Sequence, residues 1–529
     1  MHTVCIKNAT VYDGTGAPAF TADVSCVDGK LHLGAVDGAQ KVLDGTGLCL
    51  APGFIDTHSH GDSCLGNPHN SLSRVSQGIT TQLAGNCGHT VVVLNEEMYR
   101  EDKPDLTPSP GLDGPEHFTG FGPYLAYANS LPQVENTAFL VGHGNLRRVA
   151  MGFDDREPTA GELAHMKAML TEAMENGAFG MSSGLIYIPG AYSRIEEMAE
   201  LCKIVAQYDG IYATHMRNES EGILDSIREA IEVARRSGCR LNISHLKVCG
   251  RQNHGVAEQM LALIHDARKE GLRVSADQYP YEASSTSLSS CVPPKYFTQG
   301  TEGLVKILRD PAMRRQIRDE IENDTVADFE NLVLGCGGFG GIVVSAAPQT
   351  PAAVGKTIAA YARESGADEY EVFFDLLEAN GDDAWAIYFD IGEPDLMKIL
   401  ADPTIMVGTD GVITTADGLC HPRAFGTFTR ALGRYGRGKG LLPLEAMLHK
   451  MTGLPARTLG LAHKGVIAEG MDADLVLFNP QTVCDRADFA DPHQLSDGIE
   501  AVIIGGEVVY SAGALTGKTP GRVILRGQG

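Results

Sequence analysis

No apolar run in this 529-residue chain is long enough to cross a bilayer, which excludes a membrane-spanning helix. The first residues, Met1-His2-Thr3-Val4-Cys5-Ile6-Lys7, carry no signal-peptide apolar region, so no export by that route is expected. Cations are scarce. Lys and Arg number 43 against 67 Asp and Glu, a formal net charge of −24. That balance argues against nucleic acid or an anionic membrane as partner, and an anionic substrate would need local cations to offset the global field. The twelve cysteines form no CxxC pair and no regular spacing, which points to reduced thiols, most of them small core residues, in a cytoplasmic protein. The Gly-rich run Gly335–Gly341 has no Lys-Ser/Thr behind it, so it reads as a flexible loop or hinge rather than a phosphate cradle.

What is present is globular in balance, with 43% hydrophobic and 21% charged residues. The length suits about three average domains or one α/β barrel with additions. Short alternating segments near the N-terminus (Thr3–Ile6, Thr10–Tyr12, Asp23–Val27, Lys30–Leu33) read as small antiparallel strands, and the same texture returns at Ala473–Phe478 and Glu500–Tyr510, the latter a hairpin around Gly505-Gly506. Both termini are therefore expected to build one small β domain, residues 1–50 plus 465–529. Between them strand-like runs alternate with helical patterns, the signature of parallel βα units. Helical spacing is clear over 160–176 (Leu163, Met166, Leu170, Met174) and 219–236 (Ile223, Ile227, Ile231, Ala234), the latter stopped by Gly238. Strand candidates end near His58, Cys87, His143, Ser183, His215, His245, Tyr279 and Asp410. Eight is the number for a TIM barrel, placed here over 51–464. The stretch of roughly 287–398 between the last two strands, with a charged helical segment at 304–323, exceeds a crossover helix, so an insertion or lid is expected over about 287–346.

The apolar run Leu50–Thr57 ends in His58-Ser59-His60. On a strand, residues i and i+2 share a face, so both imidazoles project from one point and can hold a metal. Cys87, His215, His245 and Asp410 each follow a short apolar run where a barrel strand would exit. Singly, each has a plain structural reading: a buried thiol, a satisfied core histidine, an Asp-Gly turn. Five metal-competent side chains and a carboxylate at five strand ends are hard to explain as packing, and imidazole nitrogen with thiolate sulfur suits zinc best.

With these segments in hand, the chain resembles the amidohydrolase superfamily and, within it, the N-acyl-D-amino-acid deacylases (D-aminoacylases). The resemblance runs over nearly the whole chain through Pro52–His60, Gly85-Asn86-Cys87-Gly88, Val141-Gly142-His143, Gly180–Gly184, Thr214–Arg217, Ser244–Lys247, Tyr279-Pro280-Tyr281 and His421-Pro422-Arg423. HxH is shared across the superfamily, whereas Gly-Asn-Cys-Gly with His-Pro-Arg is more specific to the deacylases. The resemblance implies a barrel of the amidohydrolase type with a small β-sandwich domain, a tight Zn²⁺ held by Cys87, His215 and His245, a second, weaker metal position at His58 and His60, and Asp410 close to both. It also implies that Arg423, Lys247 and Tyr279 clamp a substrate α-carboxylate, with Ser285 near the substrate. Hydantoinases and dihydroorotases commonly use a carboxylated lysine after the fourth strand, and Ala178–Gly190 contains no lysine.

The chemistry of the residues agrees. Zinc polarises an amide carbonyl and acidifies water. An aspartate within reach, Asp410, can take the proton and return it to the leaving amine. Guanidinium grips carboxylate with two hydrogen bonds, which suits Arg423, and Lys247, two residues past His245, should face the same mouth. Arg217 stands in the same relation to His215 and faces either the mouth or a structural ion pair. The leading expectation is hydrolysis of N-acyl-D-amino acids to a carboxylate and a free D-amino acid. The alternatives are a cyclic-amide hydrolase of the hydantoinase or dihydroorotase type and a catalytically inactive scaffold relative.

Overall fold

The computed structural model describes residues 3–91, 98, 120–327, 329–412 and 418–528. Eight short apolar runs form one parallel sheet in chain order: β1 (Phe54–Asp56), β2 (Ile79–Ala84), β3 (Asn136–Gly142), β4 (Gly180–Gly184), β5 (Ile211–His215), β6 (Arg240–Ile243), β7 (Val274–Gln278) and β8 (Ile405–Val407). The ring closes just past the first and last strands. The Asp410 N–H donates to the His58 carbonyl at 2.8 Å, and Ser59 bridges Gly411. Asp56 reinforces the seam by accepting from the Thr409 N–H at 2.9 Å and its hydroxyl at 2.6 Å. This is the TIM barrel that the alternation of strand and helix predicts.

Amphipathic helices cover the barrel. Ala160–Glu175 starts at a capping box between Thr159 and Glu162, and Ile223–Ser237 ends at Gly238 in the left-handed region (φ 75°). Their apolar faces (Leu170, Met174, Ile227, Ile231) join Phe139, Val141, Met181 and Tyr212 of the strands in the main core.

Strands from both ends of the chain share one nine-stranded sheet. Cys49–Pro52 is the joint, parallel to Thr3–Val11 on one side and antiparallel to Leu475–Phe478 on the other. Inner-face residues of the two limbs, among them Val4, Ile6, Val24, Leu475 and Ile503, fall in one apolar cluster. The expected strands Thr3–Ile6 and Thr10–Tyr12 are one strand, Thr3–Val11, with a bulge between Ile6 and Ala9 where Asn8 takes φ 60°.

The long β7–β8 connection is a unit with its own core. Its three-stranded sheet has Trp385–Tyr388 between Ser284–Ser287 and Ile342–Ala346, so the unit continues beyond residue 346. The helical segment at 304–323 is two helices, Gly300–Leu308 and Pro311–Asn323. Pro311 lacks an N–H and starts a new helix, which Asp310 caps. The Gly-rich run, expected as a flexible loop, is a packed turn. Phe339 packs edge-on to Tyr370 and tilted against Phe373, and a Cβ on Gly341 would fall 2.5 Å from the Cys336 carbonyl oxygen. Among the described residues no helix is long and apolar enough to cross a membrane.

Candidate metal centre

All six candidate metal and acid residues converge at the C-terminal mouth of the barrel. Cys87 follows β2, His245 follows β6 and Asp410 follows β8, and all three backbones sit at positive φ (55°, 36° and 49°). This left-handed step is uncommon for a non-glycine residue and turns each side chain inward as its strand exits. Close glycine backbones make room for it: a Cβ on Gly184 would lie 2.2 Å from the Cys87 carbonyl oxygen.

Two ligand groups result. Cys87, His215 and His245 form one; His58, His60, Cys87 and Asp410 form the other, and within each the ligand atoms lie within 4.8 Å of one another. Cys87 belongs to both. Its Sγ is 3.3 Å from His58 Nε2 and 3.4 Å from His245 Nε2. Asp410 Oδ1 is 3.0 Å from His60 Nε2 and 3.4 Å from His58 Nε2. Neither ring nitrogen of the buried His215 has an oxygen or nitrogen hydrogen-bond partner, an arrangement that costs free energy unless a metal completes it. Burial opposes ionisation of Cys87, yet the His58 and His245 imidazoles beside it hold its thiol well below the usual range. A thiolate with converging imidazoles fits a zinc-type metal, which would neutralise the thiolate and accept the imidazole lone pairs.

A second layer fixes these ligands. Asp277 accepts from the His245 N–H at 2.7 Å and lies 3.4 Å from His58 Nδ1. Glu219 is 3.1 Å from His245 Nδ1, 3.4 Å from His215 Nε2, and paired with Lys247 Nζ. Neither residue stood out in the sequence. The available signals were positional, since Glu219 is four residues past His215 and Asp277 two before Tyr279. Tyr187 was also missed. Its ring packs edge-on to His215 at 5.0 Å, and its hydroxyl accepts from Thr286 of the β7–β8 unit at 3.0 Å. His143, at the end of β3, is outside the centre, with Nε2 2.8 Å from Glu197.

Arg423, Lys247, Tyr279 and Ser285 stand together beside the ligands. Arg423 Nη1 is 2.7 Å from Asp410 Oδ2, and Nη2 donates to the Ser285 carbonyl at 3.2 Å. Its guanidinium lies 4.7 Å from the Tyr279 ring centroid, and Lys247 Nζ lies 5.9 Å from the same ring. Burial would raise the Asp410 pKa, but Arg423, then His245 and His58, hold it well below the carboxylate range. Arg217 faces a structural ion pair with Glu229 at 2.9 Å. The mouth opens into a cavity of about 1990 Å³.

A parallel barrel with a thiolate–imidazole–carboxylate cluster at its C-terminal mouth defines a metal-dependent hydrolase. The amidohydrolase family matches residues 41–510. D-aminoacylase of Alcaligenes xylosoxydans xylosoxydans is 35% identical over 98% of this chain and 97% of its own, and the N-acyl-D-aspartate deacylase of the same organism is 35% identical over 99% and 95%. The crystal structure of N-acyl-D-glutamate deacylase from Bordetella bronchiseptica, complexed with zinc and a phosphonate inhibitor, superposes with a TM-score of 0.82 at 32% identity over 99% of each chain. The chain belongs to the amidohydrolase family and, within it, to the N-acyl-D-amino-acid deacylases.

Proposed function

We propose that this protein hydrolyses N-acyl-D-amino acids to a carboxylate and a free D-amino acid with zinc as its metal. Cys87, His215 and His245 would hold a tight ion, and His58 and His60, with Cys87 shared, a weaker one. One observation carries the substrate assignment. The Tyr279 hydroxyl and Arg423 Nε are buried donors without a hydrogen-bond partner, and they flank the ligand cluster. Unpaired buried donors are costly, and a carboxylate between Arg423, Tyr279 and Lys247 satisfies them. An amino acid whose α-carboxylate sits there presents its N-acyl carbonyl to the metal cluster.

When bound, zinc polarises that carbonyl and acidifies water. Asp410 takes the proton of the attacking water as the new C–O bond forms and returns it to the amine nitrogen as the C–N bond breaks. Arg423 keeps Asp410 in its ionised form. With carbonyl and carboxylate both fixed, the chiral carbon can present its side chain only one way, which supports selection of one hand. The lysine-free strand β4 and the shared Cys87 favour this reading over a cyclic-amide hydrolase. Twelve unpaired cysteines favour a cytoplasmic setting. We assign residues 1–50 with 465–529 to the β domain and 51–464 to the barrel and its insertion. Kinetics on N-acetyl-D-amino acids, their L counterparts and hydantoins, with metal analysis of the same sample, test the proposal. Turnover confined to hydantoins would overturn it.

A further inference from the structure

A metal-bound imidazole is ordinarily steered by a hydrogen bond from its second ring nitrogen. His215 has no such bond to oxygen or nitrogen, and its nearest carboxylate, Glu219, stands 3.4 Å from Nε2. Packing has to fix the ring instead. Two rings meet it edge to face: His245, itself a ligand, at 4.4 Å, and Tyr187 at 5.0 Å. Tyr187 belongs to the loop between β4 and the helix Ile195–Gln207. That loop starts against β5, where the Leu185 N–H donates to the His215 carbonyl at 3.0 Å. The Tyr187 carbonyl accepts from the Ala191 N–H at 2.8 Å, which closes the segment into a compact turn. Thr286 meets the Tyr187 hydroxyl at 3.0 Å from the other side.

Arg217, two residues past His215, grips the far side of this turn. Its Nη1 donates to the Ala191 carbonyl at 2.7 Å and its Nη2 to the Ser193 carbonyl at 2.9 Å. Glu229, on the helix Ile223–Ser237, anchors the fork from behind, with Nε 3.1 Å from Oε2 and Nη2 2.9 Å from Oε1. A planar guanidinium can span two carbonyls and a carboxylate at once. The ion pair with Glu229 therefore serves one edge of the fork, and the loop takes the rest. The exit of β5 holds the β4 loop at both ends, with His215 against the Tyr187 ring and Arg217 at Ala191 and Ser193.

We propose that Arg217 is a positioning residue for the metal centre: by fixing the β4 loop it keeps the Tyr187 ring packed on His215 and that imidazole aimed at the metal. The inference rests on His215 as a ligand in the reading above and goes beyond it, since Arg217 touches neither metal position.

The test is zinc affinity of the full chain in a chelator competition. Arg217→Gln is expected to weaken binding by about tenfold. Glu229→Gln removes the counter-charge but leaves both loop carbonyls bonded, and should weaken it by less than about twofold. Tyr187→Ala should match Arg217→Gln, and the double variant should lose no more than either single one, because the two residues act in series. Tyr187→Phe keeps the ring and should keep the affinity. In the cobalt-substituted protein the visible absorption, which follows the geometry of the ligands, should change in Arg217→Gln and not in Glu229→Gln. If Arg217→Gln fails to fold, Arg217→Lys, whose single nitrogen cannot reach both carbonyls, carries the same comparisons. Unchanged affinity in the Arg217 variant, an equal loss in Glu229→Gln, a loss in Tyr187→Phe, or losses that multiply in the double variant each overturn the inference. His215→Ala tells its failure from that of the ligand assignment. Zinc held there with parental affinity removes His215 from the ligand set and the inference with it, whereas zinc lost there but kept in the Arg217 variant overturns the positioning role alone.

Discussion

Asp410 and Arg423 hold each other across the mouth of the barrel, with Nη1 2.7 Å from Oδ2 and both side chains buried. The proposed base and carboxylate clamp are thus one unit. The planar fork serves Asp410 and the Ser285 carbonyl and keeps Nε for a ligand. A lysine in its place carries all its donors on one nitrogen and cannot span the three partners. Arg423→Lys is therefore expected to raise KM by about tenfold to a hundredfold with metal content unchanged. Steady-state kinetics with elemental analysis checks this, and an unchanged KM would remove Arg423 from the clamp.

Asp410→Asn keeps the shape and an oxygen but loses the ability to accept a proton. Turnover is expected to fall by about 100-fold or more, with zinc still bound. Loss of the metal on this substitution would count against the base assignment.

Cys87 is the ligand common to both groups, whereas His60 belongs to one and is partly exposed. Cys87→Ala should lower bound zinc far more than His60→Ala does. Equal metal content in the two variants, by mass spectrometry, would refute the tight-site assignment.

Much of this was legible in the sequence because buried parallel strands are short apolar runs with a polar residue at the exit. His58, Cys87, His215, His245 and Asp410 each marked such an exit. What escaped depended on the third dimension. Lys7-Asn8 breaks the apolar pattern at the bulge within Thr3–Val11, so one strand looked like two. Trp385–Tyr388 pairs with segments about 40 and 100 residues earlier, which no local pattern reveals. Glu219 and Asp277 are ordinary acids in sequence and gain their roles only when β5, β6 and β7 bring His215, His245 and Lys247 around them.

Glu219 should matter twice. Its carboxylate is the partner of the buried Lys247 and backs the imidazoles of His215 and His245. Glu219→Gln leaves the ammonium buried without its counter-charge, an expected loss of about 3–5 kcal/mol in urea unfolding. It also loosens the orientation of two ligands, an expected fall in metal affinity of about 10- to 100-fold in a chelator competition. A variant as stable and as metal-avid as the parent would reduce Glu219 to a bystander.

Glu330 links the β7–β8 unit to this same network, its Oε2 accepting the Glu219 N–H at 2.6 Å. Burial, then the Glu219 charge, pushes its pKa up from 4.5 to about 8, while that hydrogen bond and Lys247 pull the other way and Asp390 adds repulsion. The folded protein therefore keeps a proton on Glu330 across a window in which the unfolded chain has lost it. A group with a raised folded pKa contributes stability fully below the unfolded value and loses it as pH climbs toward the folded one. Stability should fall with rising pH between about 4.5 and about 8, by at most about 1.4 kcal/mol per pH unit from this group. Glu330→Gln keeps an oxygen for the Glu219 N–H and cannot titrate. Relative to the parent it should gain stability steadily from about pH 5 to about pH 8 in urea midpoints. A difference between the two proteins that does not change over that range would mean that Glu330 is already ionised in the fold.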